Sequence, residues 1–322
     1  MLPFSIRGIH ITGILKGAVF PCKFLTVPST RASTHTGALY AVLAYTTWGL
    51  LPFYWKLFGS ISALEVLSHR MIWSAVFLVI ILLLQGRMGE LLGLLKSPRI
   101  IPVLLLTASL LGFNWGLYIY GVSTGQIVET SLGYYINPLV SVLLGFLFLQ
   151  ERLHRGQQIA FGLAFFGVGY LIYQIGTVPW ISLGVAISFA FYGLLRKLAP
   201  VTPLLGLALE TLLVSPMTLL FIEYLASHGE GHFGRSPGLT LLFMGAGVAT
   251  SMPLLWFNNA AKCLPLATLG FFQYLNPSIS LLVGVFAFHE PFTPTHGVTF
   301  GCIWIALALY SISALRRSRV MV

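Results

Sequence analysis

Residues 132–162 read LGYYINPLVSVLLGFLFLQERLHRGQQIAFG, and this stretch decides the fold because it recurs 139 residues later in the chain. Without a gap, nine of 28 aligned positions are identical. They are Tyr135, Asn137, Pro138, Ser141, Leu143, Gly145, Glu151, Phe161 and Gly162, matched by Tyr274, Asn276, Pro277, Ser280, Leu282, Gly284, Glu290, Phe300 and Gly301. Apolar composition alone aligns leucines, but not an Asn-Pro dipeptide, a glutamate and two glycines. The chain is therefore predicted to be an internal duplication.

The composition around this repeat is that of a membrane protein. Hydrophobic residues make up 57% of the chain and charged residues only 8%, whereas soluble domains carry roughly 25% charged residues. The apolar runs that contain residues 75–84 and 140–149 are long enough for helices that cross a bilayer, which need about 20 residues. We predict an all-α integral membrane protein rather than a large soluble helical core.

The net charge of +10 raises the alternative of a nucleic-acid partner. No basic run with interleaved aromatic residues supports it, and Lys and Arg collect in the cytoplasmic loops of membrane proteins. All eight acidic residues are glutamates, and Cys22, Cys263 and Cys302 have no paired spacing. We therefore predict no nucleic-acid partner, no metal, no cofactor and no disulfide framework; membrane lipid and a small-molecule substrate are the expected partners.

Ten transmembrane helices are predicted. They cover residues 37–57, 62–84, 100–121, 126–149, 156–175, 179–196, 203–226, 238–259, 265–288 and 296–315. With a cytoplasmic amino terminus, fifteen Lys and Arg residues fall on the cytoplasmic side and two on the other side, so both termini are predicted to be cytoplasmic. Five helices per unit then invert the second unit (179–315) relative to the first (37–175), with a basic tail at 316–322. Inverted repeats are typical of secondary transporters.

Residues 1–36 stand apart, since the repeat pattern begins only at about residue 37. They are basic, and their apolar run is too short to span a bilayer. Three interpretations stay open: a basic interfacial arm, a targeting segment, or a start of the reading frame placed too early.

Motifs across residues 37–315 resemble those of the RarD family of ten-span permeases, within the EamA drug/metabolite transporter superfamily. The matching residues are Trp48-Gly49, Glu65, His69-Arg70, Trp73-Ser74, Asn114-Trp115, residues 129–138 (ETSLGYYINP), residues 188–197 (SFAFYGLLRK), Pro253-Leu254-Leu255 and residues 268–274 (TLGFFQY). Asn276 departs from the family pattern, which has a small residue before the proline. The resemblance implies an EamA fold and an inner-membrane permease that exports small metabolites or drugs. It carries over no residue roles.

Charged residues inside a bilayer are functional candidates by default. On the second predicted span, Glu65 and His69 are four residues apart and share a helix face with Arg70 nearby, which predicts a proton-responsive pair; the alternative is a structural clamp at the interface. Glu129 begins the fourth span. Glu210 lies midway along the seventh, has no evident local cation, and is the predicted counterpart of Glu65. Proton coupling through Glu210 competes with a plain hydrogen bond to a neighbouring helix.

The two repeated prolines predict helix breaks, because proline removes one hydrogen bond and clashes with the carbonyl four residues earlier. Broken helices at Pro138 and Pro277 are predicted to form two walls of a substrate cavity; the alternative is a packing kink. The predicted cavity residues are Trp48, Asn114, Trp115, Tyr134, Tyr135, Asn137, Tyr192, Gln273, Tyr274 and Asn276. Such rings and amides would suit amphipathic or cationic organic solutes.

Gly162, Gly167 and Gly301 predict close helix packing, with a homodimer contact as one version of it. The sequence thus favours a secondary-active exporter that is not an enzyme. A channel or a membrane scaffold is the alternative, ahead of a membrane-embedded enzyme, which would need a reactive cluster that the sequence lacks.

Overall fold

The structure is a computed structural model that describes residues 31–98, 100–123, 127–176, 180–287 and 294–320, and these ranges are helical with short connections. The α-helices are α1 (Arg31–Lys56), α2 (Ala63–Leu84), α3 (Met88–Leu95), α4 (Ile101–Ser123), α5 (Ile127–Leu149), α6 (Arg155–Ile175), α7 (Trp180–Leu198), α8 (Pro203–Ser227), α9 (Pro237–Cys263), α10 (Leu266–Gln273), α11 (Leu275–Leu282) and α12 (Pro294–Val320). A π-helical turn, Val283–Ala287, follows α11. Predictions for residues 1–30 and for the loop 288–293 lie outside the described residues.

Seven helical stretches of the described ranges are long and apolar enough to cross a membrane. They are α2, the Ile101–Tyr118 part of α4, α6, α7, α8, α9 and the run Leu266–Ala287. Shorter apolar stretches, Gly133–Leu149 and Gly297–Ser313, lie within α5 and α12. The predicted all-α membrane class is thereby confirmed.

The helix boundaries differ from the predicted spans in three places. The ninth predicted span, 265–288, is divided into α10, α11 and the π-helical turn. The short helix α3 was not predicted; Arg87, just before it, forms two hydrogen bonds of 2.7 and 2.9 Å to Glu90 in its first turn. At the chain ends, α1 begins within the predicted amino-terminal arm, and α12 continues into the predicted tail.

Local chemistry sets several helix ends. Ser236 caps α9 by accepting a hydrogen bond from the Leu239 amide at 3.2 Å, and Pro237 fills the first position, where no amide hydrogen is needed. Pro203 begins α8 in the same way. Gly176 ends α6 with a φ of 74°, a left-handed conformation that glycine adopts without a steric cost.

Most helix contacts come in pairs. Helix α7 packs against α4 and α5, and α1 packs against α9 and the broken helix α10–α11. Likewise α4 packs against α8, and α2 against α9. The remaining large contacts are α2 with α8, α5 with α10, and α6 with α12.

The main apolar core lies between α1, α2, α4, α7, α8 and α9. Helices α6 and α12 form a separate layer, joined to α5 and α10 by a smaller core around Ala160, Phe271 and Ile303. Polar side chains that reach the main core are therefore enclosed by helices from both halves of the sequence.

Candidate functional site

A buried polar cluster surrounds Glu210, which is 2% exposed on α8. Thr107 of α4 donates a hydrogen bond of 2.6 Å to Oε1, and Tyr192 of α7 donates one of 3.2 Å to Oε2. The Arg196 Nη1 atom lies 3.5 Å from Oε1, and Asn258 of α9 donates to the Tyr192 hydroxyl at 3.2 Å. We call these five residues the Glu210 cluster; they join four helices.

Arg196 is also buried, with an exposed fraction of 1%. Its Nε atom donates to Oδ1 of Asn258 at 3.3 Å, and Nη2 donates to the carbonyl of Pro203 at 3.1 Å. The guanidinium fits because α8 presents Gly206 to it, where a Cβ atom would collide with Arg196. Nη1 has no hydrogen-bond partner among the described residues. The positive charge of the guanidinium is balanced by the Glu210 carboxylate, which lies at ion-pair distance from Nη1.

The prediction that Glu210 lacks a local cation is therefore wrong. Arg196 lies in the last turn of α7 and turns inward. The sequence signal was available: an arginine and a small residue flank the tight connection between α7 and α8. This signal can be recognised only once the ends of α7 and α8, and the faces of these helices that point into the protein, are known.

A second cluster surrounds Arg70 of α2. Its guanidinium carbon lies 5.6 Å from the ring centre of Trp55 on α1 and 4.8 Å from that of Trp115 on α4. Tyr118 of α4 and Tyr134 of α5 lie close enough to interact electrostatically with Arg70. We call these residues the Arg70 cluster. It brings together three predicted site residues, Arg70, Trp115 and Tyr134.

The described hydrogen bonds and ion pair of Glu65 go to neither His69 nor Arg70 but to His232, although Glu65 is close enough to His69 to interact with it electrostatically. The carboxylate accepts a hydrogen bond from the His232 amide at 2.6 Å and contacts the His232 Nδ1 atom at 2.8 Å. His232 lies in the connection between α8 and α9. His69 instead stacks on Phe233 of that connection, with 4.9 Å between ring centres. Spacing along α2 could not reveal a partner 167 residues away.

Glu65 is also not the positional counterpart of Glu210. Arg70 and Glu210 each lie seven residues after the first residue of their helices, Ala63 and Pro203, whereas Glu65 lies in the first turn of α2. The side chain of Glu129, in the first turn of α5, lies outside the described residues.

Two lysines tie α7 to α9 near the Glu210 cluster. Lys197 donates to the carbonyls of Ala261, at 3.0 Å, and Leu264; Lys262 donates to those of Lys197, at 3.1 Å, and Ala199. Each ammonium thus satisfies carbonyls at the carboxyl end of the other helix, where the helix dipole favours a cation.

Beside these ties lies a cleft of about 390 Å³. It is lined by Ile81, Gln85, Arg87, Thr202, Pro203, Leu204, Leu255 and Asn259. Pro203 lines the cleft and also accepts a hydrogen bond from Arg196, so the cleft borders the Glu210 cluster at this residue.

The predicted cavity amides tie helices together. Asn114 donates to the carbonyl of Val185 at 2.8 Å, and Asn137 donates to that of Ala186 at 2.6 Å, so both hold α7. In the repeat, Ser141 donates to Asn137, and Ser280 donates to Asn276, each at 3.4 Å. Asn276 is partly buried and Asn137 fully buried.

The two repeated prolines behave differently. Helix α5 continues through Pro138, so the predicted break there is absent. The other copy is interrupted at Tyr274, three residues before Pro277. Both copies are tightly packed: Gly133 lies against Val185 of α7 and Gly270 against the carbonyl of Pro138, while Gly49 of α1 lies against Ile279.

The remaining predicted aromatic residues fall into two groups. Trp48 contacts Tyr45, Phe189 and Phe257, an aromatic layer that continues to Tyr192 in the Glu210 cluster. Tyr135 and Tyr274 join the two repeats instead: the Tyr274 hydroxyl donates to the Tyr135 carbonyl at 3.3 Å. Gln273, beside Tyr274, is buried.

Glu151 is a residue whose role the sequence reasoning missed. Its carboxylate accepts hydrogen bonds from the amides of Leu266 at 2.7 Å and Ala267 at 2.9 Å, which begin α10. It therefore caps a helix of the other repeat. The repeated glutamate at positions 151 and 290, with a proline before Leu266, is the signal that could have indicated such a cap.

The three glycines predicted for helix packing also differ. Gly167 lies against Cys302 of α12, where a Cβ atom would come within 2.8 Å. A Cβ atom at Gly162 or Gly301 would meet no atom of the described residues within 4 Å. Among the described residues, no group of three His, Cys, Asp or Glu side chains forms a metal site.

Comparisons with known proteins agree on one family. The EamA-like transporter family matches residues 35–173. The chain is 44% identical over 293 residues to the uncharacterized transporter YojE of Bacillus subtilis, covering 90% of this chain and 98% of that one. It is 41% identical over 287 residues to protein RarD of Escherichia coli, covering 89% and 97%.

The chloramphenicol-sensitive protein RarD of Pseudomonas aeruginosa is 30% identical over 288 residues, covering 88% of this chain and 96% of that one. A protein of known crystal structure, 17% identical in sequence, superposes with a TM-score of 0.67 over 88% of this chain and 98% of that chain. This likeness concerns the fold alone.

Proposed function

This chain belongs to the EamA-like transporter family, with the RarD proteins among its relatives, and we propose that it is a secondary-active permease that exports small organic solutes by alternating access. In this proposal ten helices span the cytoplasmic membrane as two inverted units of five. Both termini are cytoplasmic, so the α8–α9 connection is external and the cleft beside Pro203 is cytoplasmic. The membrane protein acts without a cofactor and is not an enzyme.

The pairing of helix contacts is the observation that carries the proposal. The first unit comprises α1, α2, α4, α5 and α6, and the second comprises α7, α8, α9, α10–α11 and α12. When the units are exchanged, the α7 contacts with α4 and α5 become the α1 contacts with α9 and α10–α11. The α4–α8 contact becomes α9–α2, while α2–α8, α5–α10 and α6–α12 map onto themselves. Such a twofold arrangement supports two alternative states that open to opposite sides.

The two charged clusters support the same scheme. Arg70 and Glu210 occupy equivalent positions on α2 and α8, which enter the membrane from opposite sides in the proposed topology. The Glu210 cluster, its lysine ties and the Trp48 layer close the cytoplasmic half. We propose Glu210 as the proton-coupling group, because its protonation would remove the counter-ion of Arg196 and loosen the joint between α7, α8 and α9.

The first test is a thermal-stability panel of the purified protein with amino acids, amphenicols, nucleosides and quaternary amines, since a ligand of the folded state stabilises it. Any stabilising solute is then assayed in proteoliposomes. Glu210→Gln is expected to lose accumulation driven by a pH gradient while it retains exchange of labelled for unlabelled solute. Unchanged proton-driven accumulation in folded Glu210→Gln protein would remove the coupling role.

Alternating access is tested with single cysteines in a background without native cysteines. Asn259→Cys reports the cytoplasmic cleft, and Tyr118→Cys reports the Arg70 cluster. A transported solute is expected to change their maleimide labelling rates in opposite directions. A channel would instead label at both positions whether or not solute is present, with conductance that does not saturate.

Orientation is tested by membrane-impermeant maleimide on intact cells. Arg235→Cys, in the α8–α9 connection, is expected to label at once. Arg87→Cys, before α3, is expected to label only after permeabilisation. The reverse result would invert the topology but leave the fold unchanged. A homodimer through the open glycine sites of α6 and α12 is a further part of the proposal, checked by the mass of the detergent-solubilised particle.

A further inference from the structure

Arg70 is a cation inside the helix assembly without a described anion beside it. The residues around it come from α1, α4 and α5, and Arg70 itself belongs to α2, so its guanidinium faces the interior and not lipid. Its Nε atom is buried and has no hydrogen-bond partner among the described residues. No described carboxylate forms an ion pair with it.

This contrasts with Arg196, the other arginine of the interior. Arg196 is fully buried, has two hydrogen-bond partners and faces Glu210. Arg70 is only partly buried. Part of the Arg70 side chain is therefore accessible, although its Nε atom is covered. A cation without a carboxylate beside it among the described residues is costly inside a membrane protein, and an anion bound beside Arg70 would relieve that cost.

The surroundings indicate the kind of anion. A guanidinium binds a carboxylate through paired hydrogen bonds in one plane, and the unpartnered Nε supplies one donor of such a pair. Trp55 and Trp115 flank the charge, and Tyr118, which is 40% exposed, lies 6.3 Å from Tyr134 between ring centres. These rings offer flat apolar surface next to the charge. A cationic solute is disfavoured, because Arg70 itself occupies the ring faces that would attract it.

We propose that the Arg70 cluster binds the carboxylate of a flat, aromatic organic anion, and that such anions are the substrate class of this protein. This inference rests on the proposed transport function. It replaces the cationic or amphipathic class expected from the rings and amides of the sequence.

The test uses three ligands with one ring system: indole-3-acetate, indole-3-acetamide and tryptamine, which are anionic, neutral and cationic. Binding to the full-length protein in nanodiscs of phosphatidylcholine is measured by thermal stabilisation and by isothermal titration calorimetry. We expect saturable binding of the acetate, at least tenfold tighter than that of the other two, equivalent to about 1.4 kcal/mol. Equal or tighter binding of the amide or the amine would overturn the proposal.

Arg70→Gln is expected to lose the preference for the acetate, and Arg70→Lys to keep part of it, because lysine retains the charge but not the planar pair of donors. The matched control is Arg235→Gln: the Arg235 guanidinium donates to the carbonyl of Gly229 within an exposed connection, and this variant should bind the acetate as the wild type does. If Arg70→Gln does not fold, the loss of affinity in Arg70→Lys decides. Wild-type affinity in either folded variant contradicts the proposal.

Two further experiments test whether the anion beside Arg70 is the Glu129 carboxylate or a lipid headgroup instead of the solute. Glu129→Gln should leave the acetate affinity within twofold; a much tighter acetate site in this variant would identify Glu129 as the resident counter-ion and overturn the solute assignment. Nanodiscs of phosphatidylglycerol test a lipid headgroup. If that lipid stabilises the wild type but not Arg70→Gln, and abolishes acetate binding, the site is a lipid site and the proposal fails.

The outcome is independent of the transport assay. Selective acetate binding without any flux would leave the anion site standing and remove the permease proposal. Flux of neutral or cationic solutes that is unchanged in Arg70→Gln would keep the permease proposal and remove the anion site.

Discussion

The ion pair between Arg196 and Glu210 leads to the sharpest stability prediction. Both side chains are almost fully buried, and Nη1 lies 3.5 Å from Oε1. Glu210→Gln keeps the size and the hydrogen-bonding capacity of the side chain but leaves the guanidinium without a counter-ion. Removing one partner of a buried pair costs about 3–5 kcal/mol. Arg196→Met, which strands the carboxylate, is expected to cost a similar amount.

The double variant Arg196→Met/Glu210→Gln is expected to be far more stable than the sum of the single effects, because no uncompensated charge remains. The hydroxyl of Thr107 retains its bond to the carbonyl of Leu104 at 3.0 Å, and Tyr192 retains Asn258. The coupling energy should reach about 2–3 kcal/mol, the upper range for residues in one network.

The measurement is reversible unfolding in mixed micelles with increasing dodecyl sulfate, followed by circular dichroism at one fixed pH. The exposed pair Arg87 and Glu90 is the matched control: its N–O distance is 2.7 Å, yet its removal is expected to have no measurable effect, since solvent-exposed pairs contribute little. Additive single effects, or a loss no larger than that of the control pair, would refute the reasoning about the buried charge.

Three further predictions concern other contacts. Glu151→Ala removes two charge-assisted bonds to the start of α10 and should cost about 1–3 kcal/mol in the same unfolding assay, whereas Glu90→Ala should unfold like the wild type; equal stability of the two variants would argue against the cap. His232→Ala removes the imidazole contact to Glu65 but keeps the backbone amide bond, and it should raise amide hydrogen exchange in the α8–α9 connection at least tenfold without changing exchange in the core helices; unchanged exchange would show that the imidazole contact does not hold the connection. Gly206→Ala should lower the unfolding temperature markedly, because the new Cβ collides with Arg196, while Gly169→Ala, which has no described atom within 4 Å of the new Cβ, should not; equal effects would contradict the close contact.

Much of the fold was predictable from the sequence, because the signals were long or repeated. Each predicted span between residues 62 and 259 falls within a few residues of a helix in the structure. Ser141 donates to Asn137 and Ser280 donates to Asn276, so the Asn and Ser residues that recur in the two copies form the same local hydrogen bond. The ten-span inverted topology stays a prediction.

The sequence predicted some of the residues of the two clusters, but not the contacts between them. Arg70, Trp115 and Tyr134 were all candidates, and the structure brings them together, but their ring contacts depend on how α1, α2, α4 and α5 pack. Glu65 shows the limit most clearly. Its helix-face neighbour His69 was the natural partner by spacing, yet the nearest imidazole comes from a distant connection.

The sequence by itself determined the membrane class and the positions of most helices, and it named Arg70 and Glu210 as interior charges, since each follows from composition or from local periodicity. The tertiary structure alone decided which charges pair: Arg196 turns inward to Glu210 because Gly206 leaves room, and Arg70 keeps two tryptophans and no described carboxylate. It also decided that Pro138 lies in a continuous helix while the Pro277 copy is broken. Those outcomes depend on the energy of desolvated groups and on contacts between helices far apart in sequence, which no local pattern encodes.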